Sequence, residues 1–209
     1  KKENGSFALK LCAAICLALF ASNSVSQACT TKVGAVLPTS VDWGRPIAET
    51  AQFVVEQVNE SGGVSGCKIE MILRDTQVDP KVGVDAAKAL VDLDGVQLLL
   101  GAVSSGVSMP ILTSVSVPSK VMQMSCCSSS TAFSKLAEDG KTKGLWYRTF
   151  ATTGVQSAVG AKVAKDRGFK TVAILYKNDD WGQDLNRLIT RDFGALGIKV
   201  TSAVAINDG

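Results

Sequence analysis

Two stretches concentrate the polar chemistry of this chain: Ala102-Val103-Ser104-Ser105-Gly106 and Ser125-Cys126-Cys127-Ser128-Ser129-Ser130-Thr131. Their hydroxyls donate and accept hydrogen bonds without carrying charge. Each stretch opens a segment with helical spacing, and a helix N-terminus offers unpaired N–H groups and partial positive charge. Two such ends converging on one crevice would hold a carboxylate or a phosphate between neutral walls. The same serines can also act as helix N-caps and nothing more. For either stretch alone that reading is the simpler one; two in neighbouring loops point to a ligand site.

The sequence contains no histidine. That removes Ser-His-Asp and Cys-His catalysis and the commonest metal ligand. Cys126-Cys127 lacks an imidazole to activate a thiol nucleophile, and two adjacent cysteines without histidine make a poor zinc site. The pair reads as small hydrophobes or as a vicinal disulfide. No catalytic residue, metal or cofactor is expected, and no G-x-G-x-x-G follows the first strand to bind a dinucleotide.

The elements that must position these loops alternate along the chain. Lys32–Leu37, Cys67–Leu73, Val96–Leu100, Lys120–Met124, Thr171–Tyr176 and Lys199–Ala205 read as strands. Between them, Ile47, Ala48, Ala51, Val54, Val55 and Val58 repeat at helical spacing. A second helix begins at Asp79-Pro80 and is closed by Gly95. Further helices are predicted over Val107–Val115, Val155–Lys165 and Gln183–Phe193. Strand and helix in alternation imply an α/β fold with a doubly wound parallel sheet, whose ligands bind beyond the carboxyl ends of the strands. The stretch Glu138–Gly144 is the candidate change of domain.

Composition narrows the classes. With 209 residues and 46% hydrophobic content the chain can bury a sizeable core. The formal net charge is +3, and no basic stripe suggests nucleic acid. Lys1, Lys2 and Lys10, the apolar run Leu11–Ala21 and Ser26-Gln27-Ala28 follow the order of a cleaved secretory leader over residues 1–28. A short membrane anchor and lipid attachment at Cys29 are the alternatives. The missing initiator Met and the stop at Asn207-Asp208-Gly209 suggest a chain incomplete at both ends.

From Lys32 onward the chain resembles the periplasmic substrate-binding proteins of branched-chain amino-acid ABC transporters, the leucine/isoleucine/valine-binding family. The resemblance lies in Val33–Leu37 with Trp43-Gly44, Val58–Gly66, Arg74–Pro80, Gly101–Pro110, Ser125–Thr131, Arg148-Thr149 and Tyr176–Gly182, in that order. It implies a two-lobe type I periplasmic binding fold, with the first lobe over 29–145 and the start of an incomplete second lobe over 146–209. It also implies that Ser105 and Ser129, flanked by Ser104 and Ser128, hold a ligand carboxylate. Cys127 then offers its backbone to the ligand amine, and Trp43 and Trp181 face each other across the cleft. The chain departs from the family pattern at Cys126 and at Thr131 or Ala132, where prolines are usual, and near Thr153, where an acidic residue is usual.

The implied function is an exported, periplasmic, monomeric binding protein. It would capture an amino acid or similar small carboxylate or amide for an ABC permease. A ligand-sensing outer domain of a membrane receptor is the alternative. In this winding order the first two strands are parallel neighbours, about 4.8 Å apart. Cys29 and Cys67 at their N-terminal ends are therefore a candidate disulfide. The alternatives are free thiols or a lipidated Cys29.

Overall fold

A computed structural model describes residues 29–207. The expected leader over 1–28, with Cys12 and Cys16, lies outside the described residues. In chain order the elements are β1 (Thr30–Leu37), α1 (Arg45–Glu60), β2 (Lys68–Asp75), α2 (Pro80–Asp92), β3 (Leu98–Gly101) and α3 (Ser105–Ile111). A π-helical turn, Leu112–Ser116, and a last turn, Val117–Ser119, continue α3. Then come β4 (Met122–Ser125), α4 (Ala132–Glu138), β5 (Trp146–Arg148), α5 (Thr153–Asp166), β6 (Thr171–Lys177), α6 (Asp180–Ala195) and β7 (Lys199–Ile206).

Five strands form one parallel sheet in the order β2-β1-β3-β4-β5, and β6 and β7 pair in parallel as a second sheet. The first order reverses its winding between β1 and β3, which opens a crevice at their carboxyl ends. Helices cover both faces of this sheet. Val36 points into the larger core, among Leu90 of α2, Leu99 of β3 and Val107 and Ile111 of α3. Its neighbours Ala35 and Leu37 point the other way, against Ala48 and Ile47 of α1. A strand covered on both sides must be apolar throughout, which is why Val33–Leu37 shows no polar alternation. Each large side chain fully buried here contributes roughly 1.5–3 kcal/mol of transfer free energy. Against the second sheet, Ala161 and Ala164 of α5, Phe193 of α6 and Ile198 form a smaller core. Leu175 and Val204 lie exposed on these two strands.

Local signals act at two helix starts, the first of them as expected. Asp79 accepts a hydrogen bond from Val82 N at 2.8 Å ahead of Pro80. Asp179 accepts from Trp181 N and Gly182 N at 3.0 and 2.9 Å, capping α6. Cys29 and Cys67 form a disulfide with Cα atoms 4.7 Å apart, one residue ahead of the paired Thr30 and Lys68. Cys126 and Cys127 are free thiols.

Two elements, α4 and β5, fall where the sequence reads as an irregular polar stretch. Buried Phe133 of α4 stacks on Trp146 of β5, ring centroids 4.0 Å apart, which ties the stretch to the sheet. Because β5 pairs with β4, Trp146–Arg148 belongs to the first sheet. These three residues lie beyond the boundary expected between 145 and 146 and yet pair with the first sheet.

Candidate functional site

The crevice holds a cavity of about 290 Å³ to which every strand from β1 to β6 sends residues from its carboxyl end. Trp43 follows β1, Val78 follows β2, and Val103, Ser104 and Ser105 follow β3. Cys127 and Ser129 follow β4 and Phe150 follows β5. Lys177, Asp179 and Trp181 come from the end of β6 and the start of α6, and Gln156 from α5.

Six of the seven residues named from the sequence are thus brought together: Trp43, Ser104, Ser105, Cys127, Ser129 and Trp181. Ser128 is the correction. It is fully buried, and its hydroxyl oxygen lies 2.7 Å from Ser108 Oγ, 3.1 Å from Val103 O and 3.3 Å from Ala102 O, which share its one proton. The loop backbone turns this serine toward the core while the next one faces the cavity.

A polar knot beneath the cavity holds the two serine-rich loops together. Gly101 lies at φ +123°, and a Cβ there would come 2.2 Å from Val36 O, so only glycine fits. The buried Ala102 carbonyl accepts from the hydroxyls of Ser108 and Ser125, with Ser128 Oγ 3.3 Å away. Gln123 donates to Gly101 O and Ser108 O at 3.1 and 3.3 Å and accepts from Ser116 Oγ at 2.8 Å. Satisfied buried networks of this kind fix one arrangement, because breaking a member strands a desolvated partner.

Above the knot, Ser105 Oγ accepts from Ser130 N at 3.2 Å. Ser104 stands at the N-cap position of α3, yet its side chain makes no capping bond. Capping therefore does not account for Ser104. Trp181 donates through Nε1 to Gln156 Oε1 at 3.4 Å. Trp43 and Phe150 are each about half exposed around the same space. Asp179 uses Oδ1 to cap α6, while its Oδ2 lies 3.7 Å from Lys177 Nζ.

The second sheet's helices reach the same loops. Asp184 of α6, 8% exposed, accepts from Thr131 N at 2.7 Å, from Thr131 Oγ1 at 2.8 Å, and from Thr153 Oγ1. Arg187 Nη2 donates to it at 2.5 Å. Burial pushes this carboxyl up, but hydrogen bonds from Thr153, Thr131 and Arg187 outweigh it and hold the group below the usual carboxylate range. Gly106 at the start of α3 faces Asp179, where a Cβ would fall 2.8 Å from the aspartate Cβ. Thr153, near which the resemblance implies an acidic residue, instead gives its hydroxyl proton to Asp184.

Burial, with hydrogen bonding and repulsion from Cys127, pushes the Cys126 thiol up to about 12. A thiol held protonated is a poor nucleophile. Among the described residues no group of three His, Cys, Asp or Glu could hold a metal ion, and no helix is long and apolar enough to cross a membrane. The residues missed from sequence are Val78, Val103, Phe150, Gln156, Lys177 and Asp179. Position just after a strand was the available signal for Lys177 and Asp179; Phe150 follows a strand the sequence did not reveal, and Gln156 sits on a helix. A separate apolar groove of about 540 Å³ runs beside α1, lined by Leu37, Ile47, Val54, Leu100 and Cys126, and shares Cys127 with the cavity.

The profile of the family described as periplasmic binding protein matches residues 30–209. A leucine-, isoleucine-, valine-, threonine- and alanine-binding protein of Pseudomonas aeruginosa is 29% identical over 204 residues, covering 96% of this chain and 52% of that protein. A Leu/Ile/Val-binding protein of Rhizobium johnstonii is 31% identical, covering 80% of this chain and 44% of its own length. Among solved structures, a leucine-binding protein of Thermotoga maritima superposes with a TM-score of 0.73 at 24% identity, covering 86% of this chain and 49% of the other. A solute-binding protein of Rhodopseudomonas palustris in complex with 4-hydroxybenzoate also gives 0.73, at 24% identity, covering 85% and 47%. The chain spans about half the length of the relatives it matches.

Proposed function

The chain belongs to the periplasmic binding protein family, a family of binding proteins rather than enzymes, and on that premise we propose that it captures an amino acid of the branched-chain type. The observation that carries this reading is the convergence of Ser104, Ser105 and Ser129 with Trp43 and Trp181 on one cavity. The hydroxyls at the first lobe's loop ends receive the ligand carboxylate without a competing charge. The indoles exclude water and cover an apolar side chain. Asp179, the one carboxylate among the described lining residues, faces the ligand ammonium. Names of the relatives support the ligand class, since those proteins are named for binding leucine, isoleucine and valine.

The protein acts outside the cytoplasm as a monomer and delivers its ligand to a membrane permease of the ABC type. The residues carried over from the family pattern are Trp43, Ser104, Ser105, Cys127, Ser129 and Trp181. The first lobe spans the five-stranded sheet, and the second begins after Arg148.

The test is the melting temperature of the mature full-length protein against a panel of amino acids, amides and small carboxylates. A ligand at a hundred times its dissociation constant adds about 2.7 kcal/mol. Leucine, isoleucine or valine should raise the melting point, and the joint substitution Ser105→Ala with Ser129→Ala should abolish the rise. A rise with amides alone moves the substrate class. A rise undiminished by the double substitution overturns the carboxylate assignment.

A further inference from the structure

The loop that carries Ser129 is held at each successive residue, and the holding groups lead to one side chain. Ser129 O accepts from Thr153 N at 2.8 Å. Ser130 N donates to Ser105 Oγ, and Ser130 O accepts from Arg148 Nη1 at 2.7 Å. Thr131 N and Thr131 Oγ1 donate to Asp184, which also accepts from Thr153 Oγ1. The Asp184 carboxylate therefore holds the loop directly at Thr131, and it holds the side chain of Thr153, whose backbone N–H donates to Ser129 O. It does not line the cavity itself.

We propose that Asp184 is the positioning residue for the ligand site. From α6 of the second lobe it sets the backbone of Ser129–Thr131 in the first lobe, so that Ser129 meets the ligand already oriented. The physical basis is pre-organisation, since a loop ordered before binding does not lose that freedom when the ligand arrives. The carboxylate suits the task because four donors from three elements converge on its two oxygens, and hydrogen bonds to a charged acceptor are about twice as strong as neutral ones. Arg187 on the same helix and Arg148 on β5 are the cations that face it, and they favour its charged form. Neither arginine fixes the Thr153 hydroxyl, so neither replaces it.

This inference rests on the amino-acid reading for its ligand but not for its loop, and the experiment separates the two. The full-length protein, Asp184→Ala and the near-isosteric Asp184→Asn are titrated by calorimetry with leucine, isoleucine and valine. Amide hydrogen exchange is recorded on the unliganded proteins at the same temperature. Affinity for whichever amino acid binds should fall roughly tenfold to a hundredfold in Asp184→Ala and less in Asp184→Asn, as expected for losing hydrogen bonds to a charge. Adding Thr153→Val to Asp184→Ala should cost little more, because both act through one contact.

Exchange at Ser130 and Thr131 should accelerate while the amides of β1 keep their protection. A residue that merely stabilises the whole fold would speed both. If affinity stays within twofold of the parent, or loop and β1 amides respond alike, the positioning role is wrong. If the parent binds none of the three amino acids, the ligand reading fails and the exchange pattern alone decides the role of Asp184.

Discussion

Ser128 and Ser129 are neighbours of identical chemistry with opposite duties. Ser128 keeps its hydroxyl within the buried cluster of Ala102 O, Val103 O and Ser108 Oγ, with no share in the cavity, while Ser129 borders that cavity. Their substitutions should separate stability from binding. Ser128→Ala should cost about 1–3 kcal/mol in urea unfolding, the usual penalty for a broken buried network, with affinity nearly unchanged. Ser129→Ala should leave the unfolding midpoint alone and weaken ligand binding in calorimetry. The reverse pattern would exchange their roles. Sequence offered no way to tell the two apart: both stand in a run of three serines, and which one turns inward depends on the backbone after β4 and on the acceptor waiting at Ala102. Asp184 was equally silent, because a polar residue on a helix reads as solvated until the loop it holds is seen.

At the scale of elements, the helices were legible because apolar residues recur at helical spacing over several turns, and most strands because they form short apolar runs between them. Failure came at α4 and β5, of seven and three residues. A three-residue strand has no period to read, and Phe133 and Trp146 stand thirteen positions apart among Lys, Glu, Asp and Gly. Their pairing is tertiary, through ring stacking and the β4 ladder. The β1–β2 ladder, in contrast, followed from winding order, and the Cys29–Cys67 bond sits at its start. Replacing both cysteines by serine should destabilise the fold by roughly 2–4 kcal/mol, the usual range for a cross-link of this kind. The checks are denaturant unfolding and early loss of amide protection in β2. An unchanged midpoint would mean the ladder holds that edge without the bond.

For the whole molecule, the uneven cover of its surfaces matters most. The first sheet is clothed on both faces, yet an apolar groove lies open beside α1, where Val54 is about half exposed. In the second sheet Leu175 is 73% exposed. Open apolar areas of this kind attract other apolar matter. The polypeptide 29–207 should bind an apolar fluorescent dye and melt below a protein of the relatives' length that contains it. Dye binding at the level of an ordinary folded monomer, together with a high cooperative melt of the short piece, would contradict this expectation.

The three tryptophans divide between two environments. Trp43 and Trp181 border the cavity, whereas Trp146 lies stacked on Phe133, away from it. The protein thereby carries its own optical reporter. Two indoles have an emission that depends on whether water or a guest fills the space between the lobes. The third is shielded from that exchange and serves as an internal reference. Occupancy can be followed in real time on the unlabelled protein, and single Trp→Phe replacements assign the signal to the lobe from which it comes.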